Sequence, residues 1–135
     1  MMFVDACAIV ALLSDEPEAS RVSKALAAAK TPITSPIAVL EAALALARAD
    51  KFNRSVEVVA PLIEDFLDEC GIEIRDLPPA AEMTRLALSA AHRYRRGRHG
   101  LNLGDCLHYA CAKYFDLPIL ATGGEFSQTD LKIVD

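Results

Sequence analysis

The apolar positions of this 135-residue chain fall into two kinds of segment. Short apolar or alternating runs predict buried strands at residues 2–4, 72–74 and 118–121, with shorter candidates at 31–34 and 132–134. Between these runs, apolar residues recur three and four positions apart, which predicts amphipathic helices. Strands that alternate with helices are typical of a parallel sheet covered on both faces. We therefore predict an α/β fold.

Capping residues mark where several helices begin and end. Ser35-Pro36 predicts a helix start, because serine caps and proline fits the first turn. Asn53 or Ser55 predicts the next start, and Gly71 predicts its end. Each helix is expected to bury one apolar stripe. In the helices after Ser35, after residues 53–55 and near residue 104, the inward residues are expected to include Ile37, Leu40, Leu44, Ala47, Val59, Leu62, Ile63, Leu67, Ala110, Cys111 and Tyr114.

Composition limits the class of protein. With 53% hydrophobic residues, residues 1–135 are expected to form a single domain with a full core. The net charge of −5 argues against coating nucleic acid or anionic membrane by bulk charge, although it leaves room for a local basic patch. The sequence shows neither a basic leader nor an apolar run of about 18 residues, so we expect a cytoplasmic protein. Its four cysteines form no C-x-x-C pair, which favours reduced thiols over a zinc site.

Four acidic residues stand in apolar or turn-forming surroundings at places that an α/β fold brings together. Asp5 follows the first strand, and Glu41 interrupts an apolar helix. Asp105 lies at the start of a helix, and Glu125 follows the late strand and a Gly-Gly turn. Ligands of parallel sheets bind at the carboxyl ends of the strands, where Asp5 and Glu125 lie. Carboxylates that converge repel one another and lose hydration, so a fold that gathers them usually holds a cation there.

Each acid also has a simpler interpretation. Asp5 is well placed to cap the helix that follows it, and so is Asp105, although Asn102 is an alternative cap. Glu41 lies beyond the reach of a cap but has the alternative of pointing to solvent beside Arg48. The fourth acid, taken alone, is an ordinary loop residue.

Taken together, the acids predict metal-dependent chemistry. Carboxylates suit Mg²⁺ or Mn²⁺ rather than zinc, and such ions activate water and neutralise charge at a phosphate. The chain contains no G-x-S-x-G, P-loop or G-x-G-x-x-G motif, and Asp5 lacks the second Asp that an aspartyl phosphatase needs two residues on. His108, one turn after Asp105, is a candidate base or ligand, or a half-buried helix histidine. We expect the pKa values of all four carboxyls to rise as a coupled group in the absence of metal.

A short basic segment precedes Asp105 in this acidic chain. It is a candidate clamp for a phosphate backbone, with Tyr94 or His99 offering a stacking face. The alternative is a solvated helix end, where cations also suit the helix dipole. The residues of this candidate phosphate clamp are Arg93, Arg95, Arg96 and Arg98.

These segments together resemble the PIN-domain family, specifically the VapC ribonuclease toxins of bacterial toxin–antitoxin pairs. The likeness spans nearly the whole chain and rests on residues 3–11, 34–42, 98–106 and 123–131. It implies a three-layer α/β/α, Rossmann-like sandwich with a short parallel sheet. It also implies a homodimer that cuts RNA with Mg²⁺ or Mn²⁺ and is silenced by a VapB-type antitoxin. The catalytic and metal-binding residues implied are Asp5, Glu41, Asp105 and Glu125.

Two residues depart from the family pattern. The family usually has Ser or Thr at the position of Cys7, and a thiol is a weaker hydrogen-bonding group than a hydroxyl. The family usually has Asp at the position of Glu125, and an extra methylene moves the carboxylate. Both departures support the alternative of a PIN-like domain that binds RNA or a partner without cutting. A receiver-type regulatory domain is a third possibility, but it needs an acidic pair near position 5 and a late lysine beyond a strand, which this chain lacks.

Overall fold

Four short parallel strands form one sheet in the order β3 (Glu73–Ile74), β2 (Pro32–Thr34), β1 (Met2–Val4) and β4 (Ile119–Leu120). The computed structural model describes residues 1–97 and 100–135. No helix in those residues is both long and apolar enough to cross a membrane. In chain order the elements are β1 (Met2–Val4), α1 (Ala6–Leu13), α2 (Ala19–Ala28), β2 (Pro32–Thr34), α3 (Pro36–Ala47), α4 (Val56–Cys70), β3 (Glu73–Ile74), α5 (Ala80–Tyr94), α6 (Leu103–Tyr114), β4 (Ile119–Leu120) and a 3₁₀ turn (Glu125–Gln128).

The central strand β1 sets the position of the whole sheet. Phe3 lies beside Ile33 of β2 on one side and Ile119 of β4 on the other. All three residues of β1 are buried, as expected for a strand covered on both faces. Six helices flank this sheet in the described part of the chain, so the predicted three-layer α/β/α fold is confirmed. The candidate strand at 132–134 is reduced to a single bridge between Ile119 and Ile133.

The predicted helix signals are confirmed. The hydroxyl of Ser35 accepts the Ala38 N–H at 3.1 Å, and Ser55 caps α4 in the same way. Gly71 ends α4 with φ 65°, in the left-handed region that glycine reaches without a steric penalty. These local contacts fix where α3 and α4 begin and where α4 ends.

The predicted inward face of α3 is wrong. Leu40 and Leu44 are 56% and 54% exposed, whereas Ala42 and Leu46 are buried. Because α3 is apolar on nearly every side, spacing alone permits more than one buried face. The face with small residues lets α3 approach α1 and α4 closely, and this packing leaves the two leucines outside. The predicted burial is also wrong for Leu62 and Tyr114, which are 48% and 41% exposed.

Candidate functional site

The four acids reach one region from four different elements. Asp5 caps α1 directly after β1, and Glu41 lies in the middle of α3. Asp105 lies in the first turn of α6, and Glu125 begins the 3₁₀ turn after β4. The charges of Asp5 and Glu125 raise the pKa of Asp105, and the charge of Glu41 raises the pKa of Asp5. The fold therefore brings the acids within electrostatic reach of one another.

Asp5 is the most buried of the acids, with 3% of its surface exposed. Its Oδ2 accepts the backbone N–H of Cys7 at 3.3 Å and the thiol of Cys7 at 2.7 Å. Its Oδ1 is buried and has no hydrogen-bond partner in the described residues. Burial raises the pKa of Asp5 against the opposing effects of His108 and Cys7, and Glu41 raises it further. A buried carboxylate oxygen without a partner is destabilising by itself, which suits an oxygen that meets a ligand.

Cys7 provides the donor that a hydroxyl gives in the resembled family. Burial is the main cause that raises the pKa of this thiol to about 12, so the sulfur keeps its hydrogen at neutral pH. Its Sγ also accepts the backbone N–H of Thr122 at 3.2 Å. Cys7 thereby joins α1 to the segment after β4 while it holds one oxygen of Asp5.

Both alternative caps of α6 are used together. Asn102 Oδ1 accepts the Asp105 N–H at 2.8 Å, and Asp105 Oδ2 accepts the Asn102 N–H at 3.1 Å. This reciprocal pair is a capping box. Asp105 is 8% exposed, and burial together with the nearby acids raises its pKa to about 6 even though the bond from Asn102 opposes the rise.

Glu41 is held by a histidine and does not point to Arg48. The Nε2 of His108 lies 2.9 Å from Glu41 Oε2 and 3.7 Å from Asp5 Oδ1, while Arg48 pairs with Asp50 at 3.0 Å. The bond from His108 lowers the pKa of Glu41, so the expectation that all the acids shift upward together is wrong for this one. Burial opposes a charge on His108, but the bond from Glu41 and the neighbouring acids raise its pKa on balance.

His108 is the site residue whose role the sequence left open. It is fully buried, although a half-buried helix histidine was one interpretation. Its spacing from Asp105 was the available signal, since residues three apart share a helix face. The contact with Glu41 was not predictable, because it joins residues 67 positions apart.

Glu125 folds back over Gly123, and this accommodates its extra methylene. A Cβ at Gly123 would overlap the Glu125 carboxylate.

The segment after Glu125 is anchored on α6, because the Tyr109 hydroxyl donates to Asp130 at 2.7 Å and the Lys113 ammonium donates to the same carboxylate at 2.9 Å.

The basic segment is partly occupied by contacts within the protein. Arg93 lies over the Tyr94 ring and 3.9 Å from Asp130. The Nε of Arg95 donates to the Leu101 carbonyl at 3.1 Å. Arg96 is exposed. The remaining predicted RNA-binding residue, Arg98, lies outside the described residues, as does His99, so binding by this segment stays a prediction.

The donor set suits a hard cation. Cys7 bonds to one oxygen of Asp5, His108 bonds to one oxygen of Glu41, and Asn102 bonds to one oxygen of Asp105. The second oxygen of each carboxylate takes no part in these three bonds. As placed, no three His, Cys, Asp or Glu side chains in residues 1–97 and 100–135 are close enough together to hold a metal ion. Carboxylates that repel one another are expected to stay apart until a cation joins them. Oxygen ligands of this kind fit Mg²⁺ or Mn²⁺ better than zinc.

Comparisons with known proteins agree on one family. The model of the PIN domain matches residues 2–132 of this chain. Ribonuclease VapC36 of Mycobacterium tuberculosis is 37% identical over 134 residues, which cover 97% of this chain and 91% of that protein. Ribonuclease VapC of Mycolicibacterium smegmatis is 33% identical over 135 residues, which cover 98% of this chain and 99% of that protein.

Solved structures share the fold at low sequence identity. The crystal structure of Mycobacterium tuberculosis VapC20, a toxin that cleaves the sarcin–ricin loop, gives a TM-score of 0.77 at 15% identity and covers 99% of this chain and 98% of that one. At these identities the likeness concerns the fold alone.

The raised pKa of Asp105 predicts a pH-dependent stability for the metal-free protein. Between its ordinary value of 3.8 and about 6, the folded protein binds a proton that the unfolded chain has released. The free energy of unfolding from this group therefore falls as pH rises through that window, and the loss is complete near pH 7. We expect Asp105→Asn to be more stable than wild type at pH 7.5, by at most about 3 kcal/mol for a shift of about two pKa units, and close to wild type at pH 4.

Urea titrations in EDTA at several pH values measure this difference. Asp65→Asn, on the exposed side of α4, is the control and should follow wild type at every pH. A difference between Asp105→Asn and wild type that does not change from pH 4 to 7.5 contradicts the raised pKa.

Proposed function

The chain belongs to the PIN-domain family and, within it, to the VapC ribonucleases, and we propose that it is a Mg²⁺- or Mn²⁺-dependent endoribonuclease. In this proposal it is the toxin of a toxin–antitoxin pair and hydrolyses phosphodiester bonds of RNA in the cytoplasm. The single observation that carries the metal dependence is the buried Asp5 Oδ1, which has no partner in the described residues and lies among other acids.

The proposed roles are based on the chemistry of the acids and on the hydrogen bonds that each of them already makes. Asp5, Glu41 and Asp105 would hold the cation through the oxygens not already bonded to Cys7, His108 and Asn102. The charge of Glu125 also acts on Asp105, and Glu125 would add negative charge to the same region. When bound, such an ion activates a water molecule and neutralises charge on the phosphate. The protein's own part is to keep these oxygens deprotonated and aimed, against the repulsion among them.

A binding domain without cleavage is the second candidate. Its support is Glu125, whose longer side chain folds over Gly123. The other departure, Cys7, favours an active site, because the thiol donates to Asp5 as a hydroxyl would.

Charge removal at the acids tests the enzyme directly. We expect Asp5→Asn, Glu41→Gln and Asp105→Asn each to lower Mn²⁺-dependent RNA cleavage by at least about a hundredfold, since each removes a charge that holds the ion with little change in volume. Structured RNAs incubated with Mg²⁺, Mn²⁺ or EDTA supply the measurement, and Asp65→Asn serves as the active control. Wild type that binds RNA but cuts it with neither ion supports the second candidate, and three fully active variants remove the proposed site.

The basic segment supplies a prediction on RNA affinity. Arg96→Ala should weaken binding across RNA sequences and flatten the salt dependence, because each phosphate contact releases counterions. Arg93→Ala and Arg95→Ala should do the same, and additionally lose their contacts to Asp130 and to the Leu101 carbonyl. Filter binding from 50 to 300 mM salt gives the slope. If the slope of RNA affinity against salt concentration is unchanged in all three variants, the segment is a solvated helix end that does not bind RNA.

An apolar groove between α3 and α4 supports a protein partner. It is lined by Val39, Leu40, Ala43, Val56, Ala60, Ile63 and Ile74. Glu64 also lines it, and Glu57 lies in the first turn of α4. Acids at an apolar groove favour a basic amphipathic segment and disfavour a second copy of the same face. A toxin–antitoxin complex from Klebsiella pneumoniae shares this fold, with a TM-score of 0.69 at 15% identity and coverage of 96% of this chain and 93% of that one. We propose that the groove binds a VapB-type antitoxin.

One exposed leucine tests this partner. Leu40→Ser should weaken binding of the antitoxin encoded beside the toxin by at least about tenfold, with little change in melting temperature because Leu40 is already exposed. Leu88→Ser, on the exposed side of α5, is the matched control. Titration calorimetry that finds equal affinity for both variants contradicts the proposed antitoxin groove.

Light scattering of the isolated chain tests the proposed homodimer. A measured mass of 14.6 kDa, that of one chain, would contradict it.

A further inference from the structure

The Glu41 carboxylate lies against two residues of α6 that are one turn apart on the same helix face. His108 contacts Glu41 Oε2 through Nε2 at 2.9 Å. Gly104, four residues earlier, lies so close to Oε2 that a Cβ at this position would overlap it. The glycine is not required by its backbone conformation, since its φ lies outside the left-handed region. The missing side chain therefore makes room for the carboxylate.

The hydrogen on His108 belongs on Nε2 by the arrangement of its neighbours. Both nearby acceptors, Glu41 Oε2 and Asp5 Oδ1, lie on the Nε2 side. Nδ1 is buried and has no partner among the described residues. A buried N–H without an acceptor is strongly unfavourable, so the neutral ring donates from Nε2. The Phe3 ring lies 6.2 Å from the imidazole, which keeps it packed against the central strand.

Glu41 needs such support more than the other acids do. Asp5 and Asp105 have short side chains that bond to their own helix starts. The Glu41 side chain is longer, leaves the middle of a helix and is 41% exposed. Without a fixed donor it would sample several rotamers and turn toward water.

We propose that His108 is a positioning residue for Glu41, with Gly104 as the space that admits the carboxylate. Because His108 holds Oε2, the other oxygen of Glu41 would be the one that holds the divalent cation of the proposed function together with Asp5 and Asp105. The inference rests on that proposed function. It assigns to His108 no proton transfer and no direct contact with RNA.

Two variants test the role from opposite directions. His108→Leu removes the donor at similar volume, and we expect Mn²⁺ affinity in titration calorimetry to fall between about tenfold and a hundredfold, as is typical when a residue that orients a metal ligand is lost. We expect kcat to fall with KM for RNA unchanged. His108→Gln places an amide donor at similar reach and should recover most of the affinity.

Gly104→Ala separates positioning from stability. The added methyl displaces the flexible end of Glu41 and leaves His108 in place, while alanine is the better helix former. We expect a melting temperature in EDTA equal to or above that of wild type, together with weaker Mn²⁺ binding. This variant tests the space for the carboxylate even if His108→Leu does not fold, because a purely structural role of Gly104 predicts no loss of metal affinity.

The outcomes distinguish the two levels of the proposal. Wild type that binds Mn²⁺, with Gly104→Ala and any folded His108→Leu protein binding it equally well, overturns the positioning role and leaves the proposed function standing. Wild type that binds neither Mn²⁺ nor Mg²⁺ overturns both. Weaker binding in Gly104→Ala, with recovery by His108→Gln where His108→Leu folds, supports the role.

Discussion

The buried carboxylate of Asp5 is the constraint on which the site depends. It lies directly after the central strand, where the backbone N–H of Asp5 donates to the Leu120 carbonyl of β4. At the same edge of the sheet, the hydroxyl of Thr34 at the end of β2 donates to the Val4 carbonyl at the end of β1 at 2.9 Å. A carboxylate at this depth is strongly unfavourable unless donors or a cation compensate it. Cys7, in the first turn of α1, supplies both donors to one oxygen, and the other oxygen is buried without a partner in the described residues.

Helix α6 organises the other side of the same site. Its first two turns and its cap carry Asn102, Gly104, Asp105 and His108. The cap fixes Asp105, the glycine admits Glu41, and the histidine holds it. α6 packs along α5 and against α3 and β1, so its position is set by the core. A small rotation of this helix would move Asp105 relative to Asp5 and would move His108 relative to Glu41.

The two departures from the family pattern have local explanations in this chain. A buried thiol of high pKa remains protonated, so Cys7 donates to Asp5 while its sulfur accepts from Thr122. Glu125 lies over a glycine, which offers the space that its longer side chain needs. The pKa shifts of Glu41 and Asp105 are opposite, because the bond from His108 lowers the pKa of Glu41, whereas burial and the charges of Asp5 and Glu125 raise that of Asp105. Two carboxyl groups of the same site therefore have pKa values that are shifted in opposite directions.

The sequence was enough to predict the four strands of the sheet, the helix start at Ser35 and the helix end at Gly71, and it indicated the candidate acids. Those features depend on contacts within a few residues, such as Ser35 with Ala38 and Asn102 with Asp105. The inward face of α3 and the contact between His108 and Glu41 were decided by tertiary structure. A helix that is apolar on nearly every side has no preferred face until its neighbours select the one that packs most closely, which left Leu40 and Leu44 outside. A hydrogen bond across 67 residues exists only once the core has placed α3 against α6, because no local pattern encodes the distance between two helices.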